Sequence, residues 1–157
     1  MAIAARFDLE LIQYDVVNAF ANAELPYDVF MSLLQGYRKP GKILKLNKAL
    51  YGLQESLILW QRELSSTLRS LGFQLISHEL CCFVKNRILV FFYIDDIVLA
   101  YWKAQESLAN KLISALKKQY ELTGGNELQW FLRIEVIHDH PRKLIWLSQS
   151  AYIEKIS

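Results

Sequence analysis

FFYIDDIVLA, residues 91–100, sets two adjacent aspartates, Asp95 and Asp96, inside a run that is otherwise aromatic, β-branched and apolar. Burying one unpaired carboxylate costs several kcal/mol, and two side by side cost more because each raises the pKa of the other. The run is resolved if YI and IV are the arms of a hairpin and the aspartates lie at its tip. A tip of this kind is either a polar turn, where Asp is common, or half of a site that holds a cation.

Working outward, LELIQYDVV (9–17) has strand spacing and carries Asp15 near its end. YDVFMSLL (27–34) reads as a second strand, followed by the loop GYRKPGK and then ILKLNKALYGL. SLILWQRELSSTLRSLGF (56–73) predicts an amphipathic helix with Leu57, Leu64, Leu68 and Leu71 on its apolar stripe and Gly72 as its stop. CCFVK and RILVFFYIDDIVLAYW read as strands, and ESLANKLISALKKQYEL (106–122) as a second amphipathic helix ended by Gly124 and Gly125. ELQWFLRIEVI and KLIWLSQ, separated by HDHPR, predict a hairpin, and SAYIEKIS begins a helix. The order strand, helix, strand, strand, helix, strand is that of a split βαβ sheet with helices on one face, an α+β fold. In that fold the end of the first strand lies beside the hairpin tip. Asp15, Asp95 and Asp96 would then converge on one rim as hard oxygen ligands for Mg²⁺.

Composition narrows the alternatives. The chain has 157 residues, 53% hydrophobic and 22% charged, so it can bury a core as a single domain. A net charge of +2 argues for no partner by itself. Cys81 and Cys82 are sequence neighbours, which disfavours a disulfide framework and fits a reducing compartment. The apolar run ILVFFYI stops at the aspartates, too short to span a membrane, and MAIAARFDLELI lacks the layout of a signal peptide. His78, His138 and His140 fall on expected loops without metal-closing spacing and read as solvated surface. Lys103, Lys111, Lys117 and Lys118 read as a solvated helix face.

LVFFYIDDIVLA resembles the YxDD box of reverse transcriptases. QYDVVNAFANAEL, KLNKALYGLQESLILW, LTGGNELQWFLRIEV and LIWLSQSAYIEKI are similar, in order and at matching intervals, to the motifs of copia-type (pseudoviral) LTR retrotransposon reverse transcriptases, with the nearest resemblance to fungal elements. The resemblance implies an RNA-directed DNA polymerase palm with a ferredoxin-like antiparallel sheet over residues 1–157, with fingers and thumb largely missing. It implies Mg²⁺, with Mn²⁺ as a substitute, an RNA or DNA template-primer and a dNTP. It also implies association with the rest of a retrotransposon polyprotein, and a cytoplasmic virus-like particle or nuclear location.

Residue by residue, the resemblance makes Asp15 and Asp95 the metal-bridging carboxylates and Asp96 the third acid. It sets Ala19, Phe20, Glu55 and Tyr93 at the incoming nucleotide and primer terminus, with Phe20 beneath the sugar. Trp130, Phe131 and Arg133 fall on the primer-gripping hairpin. Without the resemblance, Phe20, Tyr93, Trp130 and Phe131 read as ordinary core or strand aromatics. The departures are Glu55 for Gln, Leu57 for Pro, Gln54 for a basic residue and Arg133 for Gly. They predict a chain that alone is weak or inactive, a remnant that keeps the fold and some nucleic-acid contact.

Overall fold

The computed structural model describes residues 1–156. Its centre is β1 (Glu10–Val16), flanked on one side by β7 (Asp96–Tyr101) and on the other by β8 (Leu122–Glu127). Beyond β7 lie β6 (Ile88–Tyr93), β5 (Cys82–Lys85) and β4 (Gln74–Leu75), giving a six-stranded sheet in the order β4-β5-β6-β7-β1-β8 with every neighbouring pair antiparallel. A two-stranded hairpin, β2 (Glu24–Ser32) with β3 (Ile43–Lys48), leaves the sheet after the 3-10 turn Ala19–Asn22. A three-stranded sheet of β9 (Trp130–Phe131), β10 (Ile134–Asp139) and β11 (Leu144–Ser148) follows β8.

Side chains alternate across a strand, and here both faces are covered. Tyr14, Val16, Val90, Phe92, Ile97 and Leu99 pack in one core with Trp60, Leu64 and Leu68 of α2 (Ser56–Ser70) and Leu112, Ile113 and Leu116 of α3 (Glu106–Leu116). Leu11, Val98 and Ala100 face the other way, into a second core with Ala4, Leu9, Leu128 and Val136. Burial on both faces explains why β7 reads as a continuous apolar run rather than an alternating one.

Four expectations are corrected. Helices do not lie on one face only: Ala2–Phe7, not read as an element from sequence, forms α1, and its Ala4 packs on the face opposite α2 and α3. An alanine-rich hexapeptide has helical propensity, but docking on the sheet decides it. Leu57 is off the apolar stripe and 52% exposed; the buried first-turn position is Ser56, whose hydroxyl donates to the Leu50 carbonyl at 2.6 Å. The second helix ends at Leu116, and Gly124 and Gly125 lie inside β8. There a Cβ on Gly124 would stand 2.9 Å from the Gln13 carbonyl oxygen, where the β1–β8 register shifts between Gln13 and Tyr14. Those glycines let β8 close on the strand that carries Asp15, a role that a helix stop would not require. Finally, His138 lies in β10 and not on a loop.

The expected terminal helix is present as α4 (Ser150–Ile156). Among the described residues, no helix is long and apolar enough to cross a membrane.

Candidate functional site

The tip of the β6–β7 hairpin is a two-residue turn, since Tyr93 pairs with Asp96 across Ile94 and Asp95. Asp15 is the register partner of Asp96, so these two side chains leave the same face of the sheet, and the Val16 amide donates to the Asp95 carbonyl at 2.9 Å. Sequence positions 15, 95 and 96 are thereby fixed to one rim by backbone hydrogen bonds. Ile94 holds the turn with φ 55°, a conformation rare for a β-branched residue. Its carbonyl accepts a 2.6 Å hydrogen bond from the indole of Trp60, which is fully buried in α2. The helix thus anchors the strained turn from behind.

The charge at this rim is uncompensated by cations. Among the described residues, none of the ion pairs includes Asp15, Asp95 or Asp96. The Asp15 pKa is raised, first by burial and then by the negative charges of Asp95 and Asp96. Neutral and donor groups hold the carboxylates instead: Gln13 Nε2 donates to Asp96 Oδ1 at 2.7 Å, and the Tyr51 hydroxyl donates to Asp95 Oδ2 at 3.4 Å. Burial, Asp95 and Asp15 push the Tyr51 phenol up, which keeps it a donor. A solvent-accessible all-oxygen donor set, Asp15 exposed and Asp95 and Asp96 half-buried, fits a hard divalent ion that retains waters. The three carboxylates are not as tightly gathered as Asp8, His138 and His140, whose ligand atoms lie within 4.8 Å of one another.

The other expected residues fall into three groups. Ala19 and Phe20 are buried in the 3-10 turn that follows β1, and the Phe20 ring packs on Tyr51 with centroids 4.3 Å apart. Through Tyr51 that contact links Phe20 to Asp95. Tyr93 is exposed beside Asp96. Glu55 instead points to the β2–β3 hairpin, where the Tyr27 hydroxyl donates to it, and this bond is the leading cause of the raised Tyr27 pKa. Trp130 is exposed, while Phe131 packs edge-on against Phe91 at 5.5 Å, so β9 sits on the same sheet face as Asp96. Arg133 and Leu132 form the β9–β10 turn with φ of 64° and 53°, a pair of positive values best met by glycine or asparagine. Gln13, Tyr51 and Trp60 were not singled out from sequence. Gln13 could have been found by its i, i+2 relation to Asp15; the other two depend on tertiary contacts across 44 and 34 residues.

Comparison with known proteins bears on this geometry. The reverse transcriptase (RNA-dependent DNA polymerase) family matches residues 1–157. The retrovirus-related Pol polyprotein from transposon TNT 1-94 of Nicotiana tabacum is 29% identical over 99% of the chain, and that from transposon RE1 of Arabidopsis thaliana 32% over 78%. The Ty1-DR1 Gag-Pol polyprotein of Saccharomyces cerevisiae is 23% identical over 99%. These relatives are plant and yeast elements, the plant ones with the higher identities. The chain spans 12% of the tobacco polyprotein and 9% of each of the other two. With its whole described length matched, this chain belongs to the reverse transcriptase family and is related to copia-type retrotransposon Pol polyproteins.

Proposed function

We propose that residues 1–157 are the palm region of an RNA-directed DNA polymerase, working on an RNA or DNA template-primer and a dNTP within a retrotransposon polyprotein. The strand order β8-β1-β7-β6, with α2 and α3 as crossovers on one face, supports a split βαβ palm. The observation that carries the function is the register pairing of Asp15 with Asp96 beside Asp95, on a rim whose acids have no ion-pair partner among the described residues.

Asp15 and Asp95, with Asp96 at the margin, would hold Mg²⁺ or Mn²⁺. Bound there, the ions supply activation of a primer 3′-hydroxyl and charge stabilisation of a leaving pyrophosphate. The chain's own residues position the reactants. Phe20, braced by Tyr51, offers an aromatic floor that leaves no room for a 2′-hydroxyl and so selects deoxynucleotides. Tyr51 orients Asp95 through its hydroxyl, and Trp60 holds the turn that carries both acids. Trp130, exposed on β9, is available to the primer strand. The setting is a cytoplasmic particle assembled from the polyprotein.

A second reading, a weak or inert remnant that retains nucleic-acid contact, is favoured by Glu55 and Arg133. Glu55 places a carboxylate where the resemblance sets an amide facing a triphosphate, and Arg133 strains the turn of the expected primer grip. Phosphoryl transfer rests almost wholly on positioning and electrostatics, so loss of one such contact removes a factor of roughly 10²–10³. The test is extension of oligo-dT on poly-rA with Mg²⁺, using the chain, its Glu55→Gln/Arg133→Gly form and an Asp95→Asn control. Extension by either form, abolished by Asp95→Asn, supports the polymerase reading. Template-primer binding without extension in either form supports the remnant.

A further inference from the structure

At the opposite end of β1 from the aspartate rim, three residues distant in sequence meet. Asp8 follows α1 with φ 51°, a left-handed position that Asp tolerates, and its carboxylate lies 2.7 Å from His140 Nδ1. His138 and His140 are i and i+2 along β10 and its extension, so they leave the same side of the strand. Their rings stack with centroids 3.8 Å apart and a tilt of 31°. Glu127, on β8, approaches the other ring nitrogen of His140 at 3.6 Å. Both nitrogens of His138 are sealed from solvent without a hydrogen-bond partner. A buried imidazole normally bonds at least one nitrogen, and leaving both unpaired is costly. Something that accepts a nitrogen lone pair would remove that cost.

We propose that Asp8, His138 and His140 form a binding site for a divalent transition-metal ion of the zinc class, with Glu127, against the other ring nitrogen of His140, as the acceptor that orients that ring. The donor set selects the metal: two imidazoles and a carboxylate suit Zn²⁺, Co²⁺ or Ni²⁺, whereas Mg²⁺ takes oxygen ligands. The ligand atoms lie within 4.8 Å of one another. Zn–N and Zn–O bonds of about 2.0–2.2 Å require the widest gap to close by roughly 1–1.5 Å, within reach of ring rotation. Asp8 and His140 side chains are 36% and 35% exposed, so an ion has a path in. The consequence is structural. The ion would clamp the N-terminal segment to the β10–β11 hairpin across 132 residues of sequence, fixing the second core and with it the strand that presents Trp130 and Phe131. The site stands apart from the aspartate rim and from the reading built on it.

The test is Co²⁺ absorption and Zn²⁺ calorimetry on the whole chain, in large Mg²⁺ excess to occupy the rim and with Cys81→Ser/Cys82→Ser to remove the thiols. One equivalent of Co²⁺ should give nitrogen–oxygen ligand-field bands that Zn²⁺ abolishes, and Zn²⁺ should raise the melting temperature. His138→Gln, His140→Gln and Asp8→Asn should each weaken binding about a hundredfold or more, since even outer-shell losses cost roughly 10–100-fold, while His78→Gln should leave it unchanged. Asp8→Asn keeps a side chain that tolerates the left-handed cap, so it reads binding even if a histidine variant misfolds. No ligand-field bands, or binding that survives Asp8→Asn and His140→Gln, would overturn the proposal.

Discussion

The two ends of β1 carry opposite kinds of side-chain cluster. At one end Asp15, Asp95 and Asp96 present only oxygens, with no ion-pair partner among the described residues; at the other, Asp8 already holds His140 and two imidazoles stack beside it. At about 3.3 Å per residue, Asp8 and Asp15 stand roughly 20 Å apart. The difference lies in how each is made. The oxygen rim is assembled by backbone register, Asp15 opposite Asp96, so its geometry follows once the strands pair. The nitrogen cluster is assembled by packing, because it needs α1, β8 and β10 docked on the same core. The first tolerates side-chain change without losing its frame; the second does not.

The sharpest way to break this contrast is to remove one rim ligand. Asp95→Asn keeps the turn's shape and its main-chain bond to Val16 but deletes a charge that no neighbour replaces. If the rim is the catalytic metal site, extension activity should fall by about 10³ or more, given that one preorganised electrostatic partner is worth roughly 10²–10³. Zn²⁺ binding at the far end should be unaffected. Equal loss of both would show that the two ends are not independent. The measurement pairs primer extension with calorimetry on the same protein.

Next in size is the support behind the rim. Trp60→Phe removes the donor to the half-buried Ile94 carbonyl. The expected destabilisation is about 1–3 kcal/mol, a fall in melting temperature on the order of 5 °C. Because Ile94 sits at φ 55° only while its surroundings enforce it, the variant should also weaken Mg²⁺ binding at the rim. Denaturant titration and Mg²⁺-dependent melts together check this; a loss of stability with Mg²⁺ affinity intact would assign Trp60 to the core alone.

Arg133→Gly carries the opposite sign. Arg133 occupies φ 64° in the tight β9–β10 turn, where a side chain is strained and glycine is not. The substitution should stabilise the chain by about 0.5–1 kcal/mol, raising the melting temperature by roughly 2–4 °C. Thermal melts decide it, and a neutral or negative change would mean that the arginine side chain makes contacts that offset its backbone.

What was legible in the sequence divides along the same line as the two clusters. The hairpin at Asp95 and Asp96, and its meeting with Asp15, followed from two aspartates interrupting an apolar run and from the alternation of strands and helices. The order β8-β1-β7-β6 required no side-chain detail. Local signals misled where tertiary partners override them. Gly124 and Gly125 looked like a helix stop, yet they serve a close strand approach at the Gln13 carbonyl. HDH looked like a loop, but His138 continues β10, and Asp8, which bonds the neighbouring His140, lies 132 residues before it, beyond any spacing rule. Tyr51 and Trp60 stood inside quoted motifs, and only the fold shows which of their neighbours are the acids and the turn.

The smallest expected effect concerns the charge left on the metal-free rim. Burial first, then Asp95 and Asp96, raise the Asp15 pKa in the folded chain above that of an ordinary carboxyl. The folded state therefore favours the protonated form. The stability that Asp15 contributes is complete below the ordinary carboxylate range and is lost as pH rises through the raised value. Asp15→Asn carries no charge at any pH and escapes that loss. Without metal, variant and parent should melt together in acid, and the variant should gain as pH climbs out of the carboxylate range, levelling by neutrality. Asp15 is exposed to solvent, so screening limits the gap to about 1 °C. Adding Mg²⁺ at neutral pH should reverse the order, because the parent binds the ion in its folded state and the variant binds it less. A gap that opened in acid and closed at neutrality, or a parent unmoved by Mg²⁺, would show that the three aspartates do not act as one coupled cation site.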